Sequence, residues 1–369
     1  MNNLLGVYIH IPFCRGRCKY CDFVSSTGGE DAMREYVAAL IGEIKFRAPS
    51  YRDYIVDTLF IGGGTPSALY LGAVKEITDA LRRNFNCAIR EATAECNPES
   101  LTSAKLDEYM GAGITRISMG VQSLSRDTLS ALGRRHTARQ AVDAATLVVN
   151  GGLDLSCDIM LATPYQSEES AKRDIETLAD IGAGHISAYM LSLEQGTALA
   201  AEYGSGKYVY DDDYAADIYS AASEALCGRG FDIYEVSNWA KEGRQCQHNL
   251  KYWRRQPYLG LGAAAHSLIG NTRFYNSHDV RRYLDGAGSG EYPSTAEARL
   301  SASEAEEELV MLSLRTAEGL DISAMGDAGL KYSDRARRHS AYFNIGDGRI
   351  SVKKEYFPVL SRVTLLMTD

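Results

Sequence analysis

Residues 9–23, IHIPFCRGRCKYCDF, carry three cysteines, Cys14, Cys18 and Cys21, directly behind an apolar, β-branched run. Three thiols cannot all pair as disulfides, and they fall one short of a four-ligand structural zinc site. The C-x3-C-x2-C spacing places the sulfurs on one tight loop after a first strand. In a reducing compartment such clustering more often serves metal than cross-links. Iron–sulfur clusters are held by cysteine thiolates, usually four. With three, one iron keeps a position for a ligand that is not protein. Spacing alone leaves two readings open: such a cluster, or a zinc ion completed by a distant cysteine or histidine. The other five of the eight cysteines are scattered, at Cys87, Cys96, Cys157, Cys227 and Cys246. A small buried hydrophobe is the default for most of them.

Outward from the triad, short β-rich runs alternate with helical patterns. Strands are expected at 6–13, 58–64, 91–98, 114–122, 153–161 and 185–191, and amphipathic helices at 31–47, 67–84, 102–111, 125–149 and 168–181. Leu69, Ala73, Ile77, Ala80 and Leu81 recur at three- and four-residue steps, the spacing of one helix face. Repeated βα units imply parallel strands. Six in a row predict an α/β fold, an incomplete parallel (β/α)6 TIM-like barrel over residues 1–205. Gly62 to Thr65, Glu95 to Pro98 and Gln122-Ser123 all follow strands, which puts them on the rim where ligands of parallel α/β folds bind. Residues 206–295 extend the barrel and carry QHNLKYW and the glycine-rich YLGLGAAAHS, whose glycines suggest close backbone packing. Residues 296–369 read as a small helix-rich domain.

Composition excludes several classes. Hydrophobic residues at 45% and charged residues at 24% fit an ordinary globular chain of 369 residues. A net charge of −9 argues against a nucleic-acid partner, which calls for a basic footprint. Arg134-Arg135 is a local basic patch, and Arg335 to Arg338 reads as a solvated helix face. No apolar run reaches the ~20 residues of a membrane helix. The N-terminus lacks the basic region of a signal peptide, so a cytoplasmic location is expected.

The triad after the first strand, followed by GGGTP after the second, resembles the radical S-adenosylmethionine (SAM) superfamily. The resemblance implies a [4Fe-4S] cluster on Cys14, Cys18 and Cys21, with SAM chelating the fourth iron and cleaved by electron transfer to a 5′-deoxyadenosyl radical. It also implies SAM contacts at Gly63, Gly64, Thr65, Glu95, Gln122, Arg134 and Asp158, with Tyr8 and Tyr20 packing beside the cluster or SAM. Arginine suits a carboxylate through its bidentate fork. From chemistry alone Arg134 reads as a surface salt bridge and Asp158 as a buried, hydrogen-bonded carboxylate; the matched positions are what make them ligand contacts.

HIPFC-x3-C-x-YCDF, GVQS and YEVSNWA…QHNLKYW…LGLGAAAHS narrow the resemblance to the oxygen-independent coproporphyrinogen III oxidase-like branch. That branch holds SAM-dependent coproporphyrinogen III dehydrogenases and heme chaperones. The dehydrogenase pattern continues C-x-C after the triad and has a longer N-terminal segment. Here Phe23 stands in that position, the first strand starts almost at once, and HNLKYW matches the chaperone motif. The resemblance therefore implies heme as cargo, His248 as its ligand with Cys246 as the lesser alternative, and a heme-accepting respiratory protein, membrane-associated or not, as partner. It leaves open whether SAM is turned over as an enzyme would. His266 reads as structural. The chain departs from the branch at two glycines: Ala162 in DIMLATPYQS and Ala264 in GLGAAAH.

Overall fold

A computed structural model describes residues 3–24, 26–292 and 294–368 of the chain. Six strands, β1 (Asn3–Ile11), β2 (Tyr54–Gly63), β3 (Cys87–Cys96), β4 (Arg116–Gln122), β5 (Asp154–Leu161) and β6 (His185–Met190), pair in parallel, each with the one before it. Between them run α1 (Glu30–Arg47), α2 (Ala73–Asn84), α3 (Ser103–Gly111), α4 (Arg126–Leu132), α5 (Ala138–Asn150) and α6 (Glu168–Ile181). The expected six-unit α/β barrel is present and open: the strands form part of one continuous sheet with two ends.

Side-chain alternation explains which face does what. Leu5, Val7, Ile9 and Ile11 of β1, Leu59 and Ile61 of β2, and Ile117, Met119 and Val121 of β4 point outward and are fully buried. They meet Tyr36, Leu40 and Ile44 of α1, Val74, Ile77 and Leu81 of α2, and Ile175 and Leu178 of α6 in one core. Fully burying such an aliphatic side chain stabilises by about 1.5–3 kcal/mol, so this outer layer supplies the stability. The inward positions are released from that duty and are polar: Tyr8, Glu95, Arg116, Ser118, Asp158, Ser187 and Tyr189 all line the lumen.

Two helices depart from the expected limits. The 125–149 pattern is two helices, because Gly133 ends α4 in the left-handed region at φ 70° and Thr137 opens α5 with a capping box to Gln140. The break aims Arg134 at the rim. Likewise 67–84 begins with a single 3-10 turn, Pro66–Ala68, and α2 starts only after Gly72 at φ 99°. Leu69 is buried but lies outside α2.

Beyond β6 come α7 (Ala198–Gly204), α8 (Asp212–Gly228), and a hairpin of β7 (Asp232–Glu235) and β8 (Asn238–Ala240), with β8 antiparallel to β6. After α9 (Gln247–Trp253), β9 (Tyr258–Leu261) pairs in parallel with β1. β10 (His266–Ile269), β11 (Thr272–Asn276), α10 (Val280–Gly288) and β12 (Ser294–Arg299) extend that edge. The glycine-rich loop packs closely, as expected: a Cβ on Gly262 would lie 2.6 Å from the His10 carbonyl oxygen. The Glu43 carboxylate of α1 fixes it, accepting from Gly262 N at 2.8 Å, Asn276 Nδ2 at 2.7 Å and Tyr283 OH at 2.8 Å.

The C-terminal part comprises α11 (Ala302–Ser313), β13 (Leu320–Asp321), α12 (Asp327–Arg338), β14 (Phe343–Gly346), β15 (Arg349–Val352) and α13 (Leu360–Thr368). It is helical as expected, with a small three-stranded sheet in addition. On α12, Arg335 donates to the Met367 carbonyl at 2.6 Å, while Arg337 and Arg338 are exposed. Among the described residues, no helix is long and apolar enough to cross a membrane.

Candidate metal centre and barrel lumen

The cysteine loop leaves β1 at the upper rim and is tied down on three sides. Cys14 N donates to Ser26 O at 3.1 Å, Lys19 N to Leu132 O at 3.0 Å, and Leu199 N to Lys19 O at 2.8 Å. An ion pair of Lys19 with Glu202, at 2.7 Å, adds a link to α7. Cys14, Cys18 and Cys21 are unpaired, partly exposed thiols that line one pocket with Gly63, Gly64, Thr65, Glu95, Gln122, Arg134 and Asp158. Among the described residues, no three His, Cys, Asp or Glu side chains converge on one ion. A cubane distributes its thiolates over three irons, so its ligands need not converge. Burial raises the Cys14 and Cys21 thiols above their ordinary pKa. Iron must therefore displace protons to bind here.

The GGGTP loop is stitched to the strand that delivers the triad. Gly64 N donates to Ile11 O at 2.8 Å and Thr65 N to Phe13 O at 2.7 Å. Gly63 sits at φ 103°, and a Cβ there would lie 2.2 Å from His10 Nδ1, so only glycine lets the loop lie this close. Thr65 Oγ1 is 3.4 Å from Cys14 Sγ and accepts from Asn97 Nδ2 at 3.0 Å.

Arg134 reaches the pocket from the break between α4 and α5. Its Nη2 donates to Asn97 Oδ1 at 2.7 Å and Gly120 O at 2.6 Å, and its Nη1 to Cys18 Sγ at 3.4 Å and the Tyr20 hydroxyl at 3.5 Å. Its Nε is buried with no partner among the described residues. A half-satisfied guanidinium beside thiols fits a ligand carboxylate. Across the pocket, Glu95 accepts from Gly63 N at 2.9 Å. Burial pushes its carboxyl up to about 7, Asp158 adding to the rise while the Gly63 bond and Arg116 oppose it. A cationic ligand group would restore the carboxylate. Burial also raises Asp158, against opposing bonds from Ser187 and Ser118. Gln122 holds a left-handed φ of 66° at the end of β4, the kind of strain that collects at functional rims.

Tyr20 lies in this pocket, but Tyr8 does not. The Tyr8 hydroxyl shares a 3.0 Å hydrogen bond with His10 Nδ1 and lines a second, lower cavity with Glu95, Arg116, Ser118, Asp158, Asn249 and Tyr252. Sequence reasoning gave no role to Asn97, the bridge between Thr65 and Arg134, although it lies within the rim cluster Glu95 to Pro98. It also missed Arg116, which the two-residue step back from Ser118 in ITRISMGVQ would have found.

His248 does not line the triad's pocket. Its ring is fully buried, with Nδ1 2.9 Å from Thr58 Oγ1 and Nε2 2.8 Å from the Tyr252 hydroxyl. Burial, with Lys251 nearby, lowers its pKa to about 3. Both ring nitrogens are therefore engaged within the protein. The Glu91 carboxylate seats α9 by accepting from Gln247 N and His248 N, each at 2.9 Å, and Lys251 is paired with Asp57 at 2.7 Å. Cys246 is likewise buried, its sulfur 3.6 Å from Glu91. In this arrangement the HNLKYW motif closes the lower end of the lumen. His266 stacks on Tyr275 at 5.1 Å beside the glycine-rich loop.

The sequence model of the Radical SAM superfamily matches residues 8–178. The heme chaperone HemW of Mycobacterium tuberculosis is 36% identical over 330 residues, covering 88% of this chain and 84% of the relative. Heme chaperone HemW of Escherichia coli K12 is 39% identical over 269 residues, covering 72% and 70%. The solved coproporphyrinogen III oxidase HemN of Escherichia coli superposes with a TM-score of 0.86 over 99% of this chain and 90% of that one, at 20% identity, which establishes a shared fold. With the relatives' likeness running through most of both chains, this protein belongs to the radical SAM superfamily and, within it, to the HemW family.

Proposed function

We propose that this protein is a heme chaperone of the radical SAM type: it binds heme and passes it to an acceptor protein. The observation that carries the reading is the 36% identity to a HemW heme chaperone across 84% of that relative's length. Phe23 agrees with it. It stands 64% exposed at the pocket mouth, where the dehydrogenase pattern carries a further cysteine.

The site fits the superfamily's cofactors, a [4Fe-4S] cluster and SAM. Cys14, Cys18 and Cys21 would hold the cluster. Arg134, with its orphaned Nε, would take the methionyl carboxylate. Gly63, Gly64, Thr65 and Glu95 would receive the amino end, and Gln122 and Asp158 the ribose. When bound, the pair supplies a one-electron route to SAM cleavage. The chain's own contribution is to hold the sulfurs on a loop anchored to β1, α4 and α7, to orient the carboxylate, and to keep Glu95 ready to ionise. Heme is cargo. Both nitrogens of His248 are occupied, so ligation there requires α9 to open. The acceptor that the family likeness points to is a respiratory heme protein, reached from the cytoplasmic compartment.

Anaerobically prepared protein titrated with hemin should develop a shifted Soret band, and bound heme should move to an apo-acceptor. Failure to bind micromolar hemin would overturn the reading. Incubated with coproporphyrinogen III, SAM and a reductant, the same sample should yield no decarboxylated product. Protoporphyrinogen formation would assign it instead to the chemistry for which HemN is named.

A further inference from the structure

Among the described residues, the cations buried nearest the lumen have partners, Arg116 apart. Lys251 has Asp57 at 2.7 Å, Lys105 has the Leu69 carbonyl at 2.5 Å, and Arg134 has Asn97 and Gly120. Arg116 is 4% exposed and points from β4 into the lower lumen cavity. Among the described residues, its guanidinium has no hydrogen-bond or ion-pair partner. Burial opposes its charge, but Cys246, Glu91, Tyr234 and Asp158, none of them in hydrogen-bond contact with it, outweigh that and leave its pKa raised. Glu91 is committed to the α9 backbone, and Asp158 is engaged by Ser118, at 3.5 Å, and by Ser187. An unpaired buried charge is strongly unfavourable. A fold that keeps one facing a cavity has reserved it for an anion.

The surroundings select the anion. Ser118, Ser187, Tyr189 and Asn249 face the same cavity of about 180 Å³, which offers hydroxyl and amide donors for oxygens the guanidinium leaves unfilled. Glu95 and Asp158 in its wall oppose a dianion, so a phosphate fits poorly and a monocarboxylate fits well. A guanidinium meets a carboxylate through two parallel bonds. Glu95, Ser118, Asp158 and Tyr189 also line the upper pocket, so a ligand here adjoins the candidate SAM site. The volume admits a small carboxylate or one carboxylate arm, but not a tetrapyrrole.

We infer that the lower lumen is a carboxylate-binding subsite anchored by Arg116. The carboxylate belongs either to a free small organic acid or to a propionate arm of the heme cargo. Only the second source rests on the heme reading above.

The test uses anaerobic holoprotein as wild type, R116M and R116K, with sodium propionate, hemin and hemin dimethyl ester as probes. R116M should fold with a Tm at or above wild type, because an apolar side chain replaces an unpaired charge. A lower Tm, or failure to fold, would show the guanidinium is structurally paired and would overturn the inference. Propionate at millimolar concentration should raise the Tm of wild type and R116K but not of R116M, which identifies a free acid as an accepted ligand. If the arm is the source, esterification should weaken hemin binding to wild type at least tenfold and leave R116M unaffected. Indifference of wild type and R116M alike to propionate and to esterification, as a merely hydrated arginine would give, refutes the subsite. Should wild type bind no hemin at all, the heme reading fails while the propionate arm still decides the inference.

Discussion

The two ends of the lumen are built from the same strands and have opposite character. At the upper end, loops deliver half-exposed thiols, an arginine with an orphaned Nε and a carboxyl lifted to about 7. At the lower end, α9 seals the lumen with a histidine whose two nitrogens are both bonded, on a backbone seated by Glu91. Strain follows the same division. Of the six described non-glycine residues at positive φ, Gln122, Ala162, Tyr165 and Ala264 lie at or just beyond the upper ends of β4, β5 and β9, Arg255 lies by α9, and Asp347 turns between β14 and β15. An end with unmet valences is equipped to bind. The α9 wall, with its valences met, holds the fold, and Arg116 in the cavity beside it is the exception that the lower end keeps.

Removing one upper-end thiol gives the largest expected effect and tests the first half of that contrast. C18S should abolish the brown chromophore and reduce iron from about four per chain to a trace, read by iron analysis of anaerobic protein. Cys18 Sγ meets Arg134 at 3.4 Å but packs into no core cluster, so the metal-free variant should keep its Tm within about 2 °C. A collapse of Tm without metal would make the loop structural and erase the contrast.

Its counterpart at the lower end should behave in reverse. H248A leaves Thr58 Oγ1 and the Tyr252 hydroxyl unpaired in sealed space and opens a cavity, at a cost of about 2–4 kcal/mol. Iron content should hold, and the Soret position of bound hemin should not move. A Soret shift would show that α9 opens and that His248 ligates iron. The pH signs of the two ends also differ. His248 is held neutral with a folded pKa of about 3 against an ordinary 6.5. The folded state therefore binds fewer protons between these values, and stability is lost as pH falls, by on the order of 4–5 kcal/mol. Glu95 is displaced the other way, to about 7 from 4.5. It contributes stability that is present below pH 4.5 and lost as pH rises through 7, about 3 kcal/mol. E95Q should flatten that limb in denaturant titrations across pH, leaving the residue due to Glu235, which burial also lifts to about 7. An unchanged slope would mean that the upper end is wetter than its geometry implies.

Much of this architecture is legible in the chain, and the reasons are local. Each barrel strand announces itself by alternation, and the alternation already separates an aliphatic face from one carrying Glu95, Ser118 and Asp158. The triad and GGGTP are contiguous, so their chemistry survives reading in one dimension. The break at Gly133 was present as a glycine followed by Thr137-x-x-Gln140, yet the apolar period running through it is the stronger signal and conceals it. His248 shows the limit in the other direction. A histidine beside an aromatic pair has the same letters whether it faces a ligand or Thr58. Only the register of β2 against α9, set by contacts nearly two hundred residues apart in the chain, decides which.

The smallest effect concerns the strained rim. Ala162 at φ 57° and Ala264 at φ 59° occupy left-handed backbone, where a Cβ crowds the following carbonyl and costs roughly 1 kcal/mol. These are the two positions where the branch reads glycine. The backbone has kept the glycine conformation although the residue has changed. Glycine relieves the crowding but brings a more flexible unfolded chain, which returns part of the gain. A162G and A264G should each stabilise by about 0.5 kcal/mol, read as a Tm rise of 1–2 °C, and should add independently because the loops follow different strands. Ala162 lies just beyond Met160 and Asp158, so A162G also tests whether rim strain serves binding. If the strain merely records substitution, hemin and SAM affinities stay constant as Tm rises. Tighter folding with weaker binding would show that the alanine holds the rim in the shape its ligands need.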